Sequence, residues 1–144
     1  MNKKAFTLIE LLAVVIILGI LGGLAVGAYY KYLDKARNES FKMAEKTLVN
    51  DVKDAYADCL SNFGNEFCDN HSNFGYINET IYLNELIQTG YSNKIKDPYD
   101  TNSYCDPNLS YVKVIVNTAS TQINKDINYQ VCLVCGDKIS STCE

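Results

Sequence analysis

AFTLIELLAVVIILGILGGLAVGAYY, residues 5–30, is the stretch on which the fold turns. No residue from Leu11 to Tyr30 is charged. At 1.5 Å per residue this run extends about 30 Å, the thickness of a bilayer core. A cleaved secretory signal has a shorter apolar region, closed by a small-residue cleavage site. Here Lys31, Asp34 and Lys35 follow without such a site. The stretch therefore predicts a transmembrane helix. One residue conflicts with that reading: Glu10 lies inside the apolar segment that opens at Phe6. A carboxylate at mid-bilayer costs about 2.5–3.5 kcal/mol, so an intramembrane acid is a functional candidate by default. Near the end of the helix it can snorkel toward water at lower cost.

Outside this segment the 144-residue chain leaves about 110 residues, enough for one domain with a modest core. A net charge of −4 and a pI near 5.0 argue against a nucleic-acid surface as the main function. All six cysteines (Cys59, Cys68, Cys105, Cys132, Cys135 and Cys143) follow the apolar run. In a domain this small they predict disulfides and an oxidising compartment. The flanking cations are nearly balanced, Lys3 and Lys4 against Lys31, Lys35 and Arg37, so charge alone does not orient the span. The cysteines do, placing the C-terminal part outside and residues 1–5 in the cytoplasm. Tyr29, Tyr30 and Tyr32 then meet the outer interface, where aromatic rings are favoured.

The helical pattern continues past the span. Phe41, Ala44, Leu48, Val52, Ala55 and Cys59 form one apolar stripe, with Lys42, Glu45, Lys46, Asp51, Lys53 and Asp54 elsewhere on the surface. One helix from Phe6 to about Asn62, about 85 Å long, is expected. Gly19, Gly22, Gly23 and Gly27 punctuate its apolar half, at about 1 kcal/mol each against Ala. Gly19 with Gly23, and Gly23 with Gly27, make GxxxG pairs suited to close helix packing in a membrane. Residues 61–78 are rich in Gly and Asn and predict a loop. Thr80–Gln88 predicts a short helix with Leu83, Leu86 and Ile87 inward, stopped by Gly90. Lys96–Asp100 predicts a turn. Val112, Val114 and Val116 alternate within 111–117, and Ile127, Tyr129, Val131 and Leu133 share a face within 127–134. These predict an antiparallel hairpin across polar residues 118–126, with a third strand or tail in 135–143.

Cys132-Leu-Val-Cys135 invites comparison with a zinc site completed by Cys143, Cys105 or His71. Positions three apart on a strand point to opposite faces, and Leu-Val is not a chelating turn, so disulfides are the stronger reading. Six cysteines allow fifteen pairings. The set expected here is Cys59–Cys68, Cys105–Cys132 and Cys135–Cys143. No redox βαβ unit precedes the CxxC. The one histidine, His71, falls in the Gly/Asn loop and is expected to be solvated. No nucleophile–base pair or phosphate loop is present, so no enzyme and no cofactor are expected.

Lys3-Lys4-Ala5-Phe6-Thr7-Leu8-Ile9-Glu10-Leu11 resembles the N-terminal signature of type IV pilins and the related pseudopilins. The resemblance implies an α+β fold, a long N-terminal helix packed on a small antiparallel sheet. It implies a leader at 1–5, a membrane and filament-core half-helix at 6–30, and a disulfide-stapled head at 31–144. Within the head, the helix would run to about 62, a loop through 63–96 and the sheet over about 109–143. It further implies cleavage between Ala5 and Phe6 by prepilin peptidase and N-methylation of Phe6. Ala5 stands where the family usually has Gly. Glu10 would pair with the new amine of a neighbouring subunit. Gly19, Gly22, Gly23 and Gly27 would let the helix loosen in the filament, Gly27 standing near the family's usual Pro. The implied partners are further copies of the chain, the peptidase, the assembly platform with its ATPase, and the membrane that stores the monomer. Location would be a single-pass precursor in the cytoplasmic membrane, N-terminus inside, then a surface filament serving adhesion, motility or aggregation. Asp97-Pro98-Tyr99-Asp100 resembles the calcium-binding turn of major pseudopilins, which makes Asp97, Asp100 and Asp106 calcium candidates, though a plain turn fits better. The alternatives are a type II secretion pseudopilin or competence pilin, and a signal-anchored metal-binding surface protein that does not polymerise.

Overall fold

The computed structural model describes residues 7–61, 66–72, 77–117 and 127–143, the side chains of residues 24 and 25 excepted. The chain divides into two compact units, Met1–Asn38 and Glu39–Glu144. Helix α1 (Leu8–Leu60) supplies the first unit and the opening of the second. It starts at a reciprocal cap: the Glu10 N–H donates to Thr7 Oγ1 at 3.3 Å, and the Thr7 N–H donates to Glu10 Oε2 at 2.9 Å. Thr-x-x-Glu before an apolar run is the sequence sign of such a cap.

In the second unit the predicted stripe of α1 faces the core. Leu48, Val52 and Ala55 are fully buried, Phe41 nearly so, and Ala44 and Cys59 pack at its edge. Helix α2 (Glu66–Asn70) follows and buries Phe67. Strand β1 (Glu79–Tyr82) leads directly into α3 (Leu83–Gln88). Strands β2 (Tyr111–Val116) and β3 (Ile127–Cys132) complete a sheet ordered β1-β2-β3, antiparallel throughout. Val112, Val114 and Val116 are the buried set of β2, as their alternation predicts. A two-stranded sheet, β4 (Val134–Cys135) with β5 (Lys138–Ile139), turns through Gly136 at φ 55°. Glycine adopts that left-handed conformation without strain, and an added Cβ there would stand 3.3 Å from Asp97 Oδ2.

Helix α3 ends as Gly90 predicts. Gly90, at φ 83°, donates to Ile87 O, and the Tyr91 N–H reaches back to Leu86 O at 2.9 Å. These two bonds make a Schellman cap. Its start differs from the sequence reading. Thr80, Ile81 and Tyr82 are strand, not first helical turn, because their β-branched and aromatic side chains pair along β2. The expected loops also carry more order: α2 lies inside 61–78, and α2, β1 and α3 all lie inside 63–96. The proposed connector 118–126 falls outside the described residues.

The three disulfides are Cys59–Cys68, Cys105–Cys135 and Cys132–Cys143. The first is as expected; the other two correct the expected Cys105–Cys132 and Cys135–Cys143. The cause is the β4–β5 hairpin. The Asp106 N–H bonds to Val134 O at 2.7 Å, which sets Cys105 beside Cys135. The returning chain bonds Ser140 N–H to Leu133 O and Thr142 Oγ1 to Val131 O, bringing Cys143 to Cys132.

Candidate functional site

In the first unit the candidate residues lie on a helix whose apolar side chains are exposed among the described residues. Its membrane-length window is wholly unburied, and Leu8, Ile9, Leu11, Val15, Leu18 and Ile20 are all exposed. Burying one such side chain is worth about 1.5–3 kcal/mol, so this surface calls for a lipid or protein partner. Glu10 sits at its start with Oε2 also accepting from Thr7 Oγ1 at 2.8 Å. Ala5 and Phe6, the expected cleavage and methylation positions, lie outside the described residues. Gly19, Gly22, Gly23 and Gly27 lie in continuous helix, and a methyl group at any of them would meet nothing within 4 Å. Among the described residues no contact accounts for the four glycines.

In the second unit the calcium candidates are engaged by their own backbone. Asp97 is buried; Oδ1 accepts from the Tyr99 N–H at 2.7 Å and Oδ2 from Ser103 Oγ at 3.4 Å. Asp100 Oδ1 accepts from the Asn102 N–H at 3.0 Å. Asp106 Oδ1 accepts from the N–H groups of Asn108 and Leu109 at 2.8 and 3.2 Å. Each aspartate closes a local turn, as short acidic side chains do. Among the described residues no three His, Cys, Asp or Glu side chains gather as a metal site requires.

His71 corrects its expected solvation. It lies between two carboxylates, Nδ1 at 2.5 Å from Glu79 Oε1 and Nε2 at 2.7 Å from Glu85 Oε1, with 9% of its side chain exposed. Its ring stacks against Phe67, with centroids 4.5 Å apart. Burial alone would lower the imidazole pKa, but the hydrogen bonds to Glu79 and Glu85, and their charges, outweigh it and raise the pKa above 6.5. Glu79 Oε2 is buried without a partner. His71 is therefore what answers that charge, and it ties α2 to β1 and α3. Its partners are 8 and 14 residues away, beyond the reach of local pattern.

Helix α1 is pinned to the rest of the second unit by polar contacts as well. Ser140 Oγ donates to Glu45 Oε1 at 2.6 Å and accepts from the Leu133 N–H at 2.8 Å. Ser92 Oγ donates to Asp51 Oδ2 at 2.6 Å, and Tyr91 Oη to Asp58 Oδ2 at 3.2 Å. Asp51 has its pKa raised, first by burial and then, against the Ser92 bond, by the charge of Asp54.

Comparison with known proteins bears on residues 1–26. No curated protein and no solved structure matches the chain. The family model that matches is the prokaryotic N-terminal methylation motif, over residues 1–26. That motif supports a pilin-like or pseudopilin precursor and points to a structural subunit that is processed by prepilin peptidase and polymerises. The fold agrees: a long N-terminal helix, a small antiparallel sheet and three disulfides. Residues 1–26 thus carry the signature of type IV pilins and prepilins, on an α+β pilin-like fold.

Proposed function

We propose that this protein is a structural subunit of an extracellular type IV pilus. The observation that carries the reading is the methylation motif at the start of a helix whose apolar surface is exposed among the described residues. The precursor sits in the cytoplasmic membrane with its N-terminus inside and its disulfide-bonded unit outside. Cleavage after Ala5 leaves Phe6 as the new N-terminus, which is methylated. The first half of α1 then leaves lipid for a helical bundle, and the apolar side chains exchange one apolar surrounding for another.

Glu10 sets the register of that exchange. In low dielectric an unpaired charge is costly, so an incoming subunit docks where its carboxylate meets a cationic amine. The Thr7 cap holds Glu10 meanwhile, answering its oxygen with an N–H and a hydroxyl. A pseudopilin or competence pilin is the second reading, favoured by the Asp97–Asp100 turn. The six disulfide-bonded cysteines, four of them stapling the C-terminal part of the chain, favour the pilus subunit instead.

The test is N-terminal and intact-mass spectrometry of filaments sheared from the cells that make them. A chain beginning at N-methyl-Phe6, with all six cysteines oxidised, is the expected result. A chain found only in the membrane, beginning at Met1 with free thiols, refutes it. Glu10→Gln should insert normally and reduce filament yield about ten-fold or more, as loss of one buried charge partner costs several kcal/mol. Normal yield would remove Glu10 from assembly.

A further inference from the structure

Helix α1 in the second unit carries two stripes of opposite charge, one on either flank of its buried face. At 100° per residue, Lys42, Lys46 and Lys53 fall within about 40° of one another and Asp51, Asp54 and Asp58 within about 60°, with about 135° between the two groups. The lysines border an open groove of about 420 Å³ whose floor is Val49 and Val131. Among the described residues none of the three has an ion-pair partner. Glu45, the acid on the same rim, is turned to Ser140, and Lys53 lies over the Tyr129 ring. On the other flank, Asp51 accepts from the neutral hydroxyl of Ser92 and Asp58 from that of Tyr91, and among the described residues neither has an ion-pair partner. Asp54 is exposed.

The arrangement is the reverse of what a free helix favours. Lys42 and Lys46 are a like-charged i, i+4 pair, and so are Asp54 and Asp58; Asp51 and Asp54 are like-charged at i, i+3. Such pairs repel, whereas alternating signs at these spacings would have stabilised the helix. An opposing stripe would relieve this repulsion, and the chain carries its own complement.

We infer that the lysine groove of one copy receives the aspartate flank of the next, as a lateral contact between adjacent subunits. This rests on the filament reading above and adds to it a named head-to-head contact. The two faces are different surfaces of one chain, so the contact is heterologous, the kind that an open filament repeats. Opposite charge on the two faces also suppresses the wrong approach, lysine face to lysine face. Aligning Lys42 with Asp51, Lys46 with Asp54 and Lys53 with Asp58 displaces neighbouring helices along their axes by about 8–14 Å. A nucleic acid could also seat on a lysine stripe. The complementary stripe on the same chain and the net charge of −4 favour a second copy.

Wild-type filaments treated with a water-soluble carbodiimide test the contact directly. The reagent activates an aspartate, a lysine amine displaces it, and an amide forms as the carbodiimide becomes its urea. Peptides joining Lys42, Lys46 or Lys53 to Asp51, Asp54 or Asp58, recovered from the dimer band of a denaturing gel, are the expected result. Dimer bands joined only through other residues overturn the contact. Charge reversal supplies a second measurement. Lys42→Glu with Lys46→Glu should lower filament yield about ten-fold or more, and Asp54→Lys with Asp58→Lys likewise. All four changes together should restore most of it. Undiminished yield from either pair overturns the contact, including when the lysine pair instead loses DNA binding, and leaves the filament reading intact. Absence of the wild-type chain from filaments refutes the filament reading itself.

Discussion

At the scale of single residues, His71 shows how one ionisable group can organise a small domain. Both ring nitrogens face carboxylate oxygens, an arrangement that only the imidazolium satisfies from both sides, since it alone donates from both. The fold therefore favours the charged form, and the pKa lies above 6.5. The sign follows from linkage. The stabilisation is fully present below pH 6.5, the unfolded value, and is lost as pH rises through the higher folded value. We expect urea unfolding of the full chain in detergent, disulfides intact, to show stability falling over that window. His71→Gln should cost about 1–3 kcal/mol at pH 6 and flatten the profile above it. A variant with wild-type pH dependence would show that the two glutamates do not act through His71.

At the scale of elements, what the sequence made legible was whatever repeats locally. The α1 stripe from Phe41 to Cys59 and the Val112–Val114–Val116 alternation each bury the residues they predict, because period alone decides which face meets the core. Gly90 marked the end of α3 because a Schellman cap needs a residue with positive φ there. The Thr7–Glu10 cap is also written in the sequence, as Thr-x-x-Glu before an apolar run. What did not read out depends on contacts distant in sequence. Strand β1 exists because β2 offers it a partner some thirty residues later, as the Thr80–Lys113 pairing shows. The second and third disulfides follow the β4–β5 turn, which spacing alone does not reveal. Ser140 is the least legible of these, joining α1 to the C-terminal hairpin across 95 residues. Ser140→Ala leaves the Leu133 N–H and the Glu45 carboxylate without this partner. It should cost about 1–3 kcal/mol by the same unfolding measurement, and Glu45→Gln, which keeps an acceptor, should cost less. Equal losses would mean that the carboxylate's charge, and not its acceptor, holds the hairpin.

At the scale of the whole molecule, the four glycines of α1 separate what the monomer needs from what an assembly needs. Each lowers helix stability by about 1 kcal/mol against Ala. Among the described residues none is required by a neighbour, since a methyl group meets nothing within 4 Å. Two uses remain: close approach of another helix, or local loosening when the helix moves from lipid into a bundle. Both predict that Gly19→Ala with Gly23→Ala leaves the membrane-inserted precursor at normal abundance. They differ in where the damage appears. Close approach makes the added methyl groups a steric obstacle, so Gly19→Ser with Gly23→Ser, larger still, should assemble worse than the alanine pair. Loosening makes helix propensity the variable, so serine, about 0.5 kcal/mol less helix-favouring than alanine, should assemble better. Sheared-filament yield normalised to precursor, compared across wild type, alanine and serine pairs, ranks the two. Equal yield from all three would show that the filament uses neither property of Gly19 and Gly23.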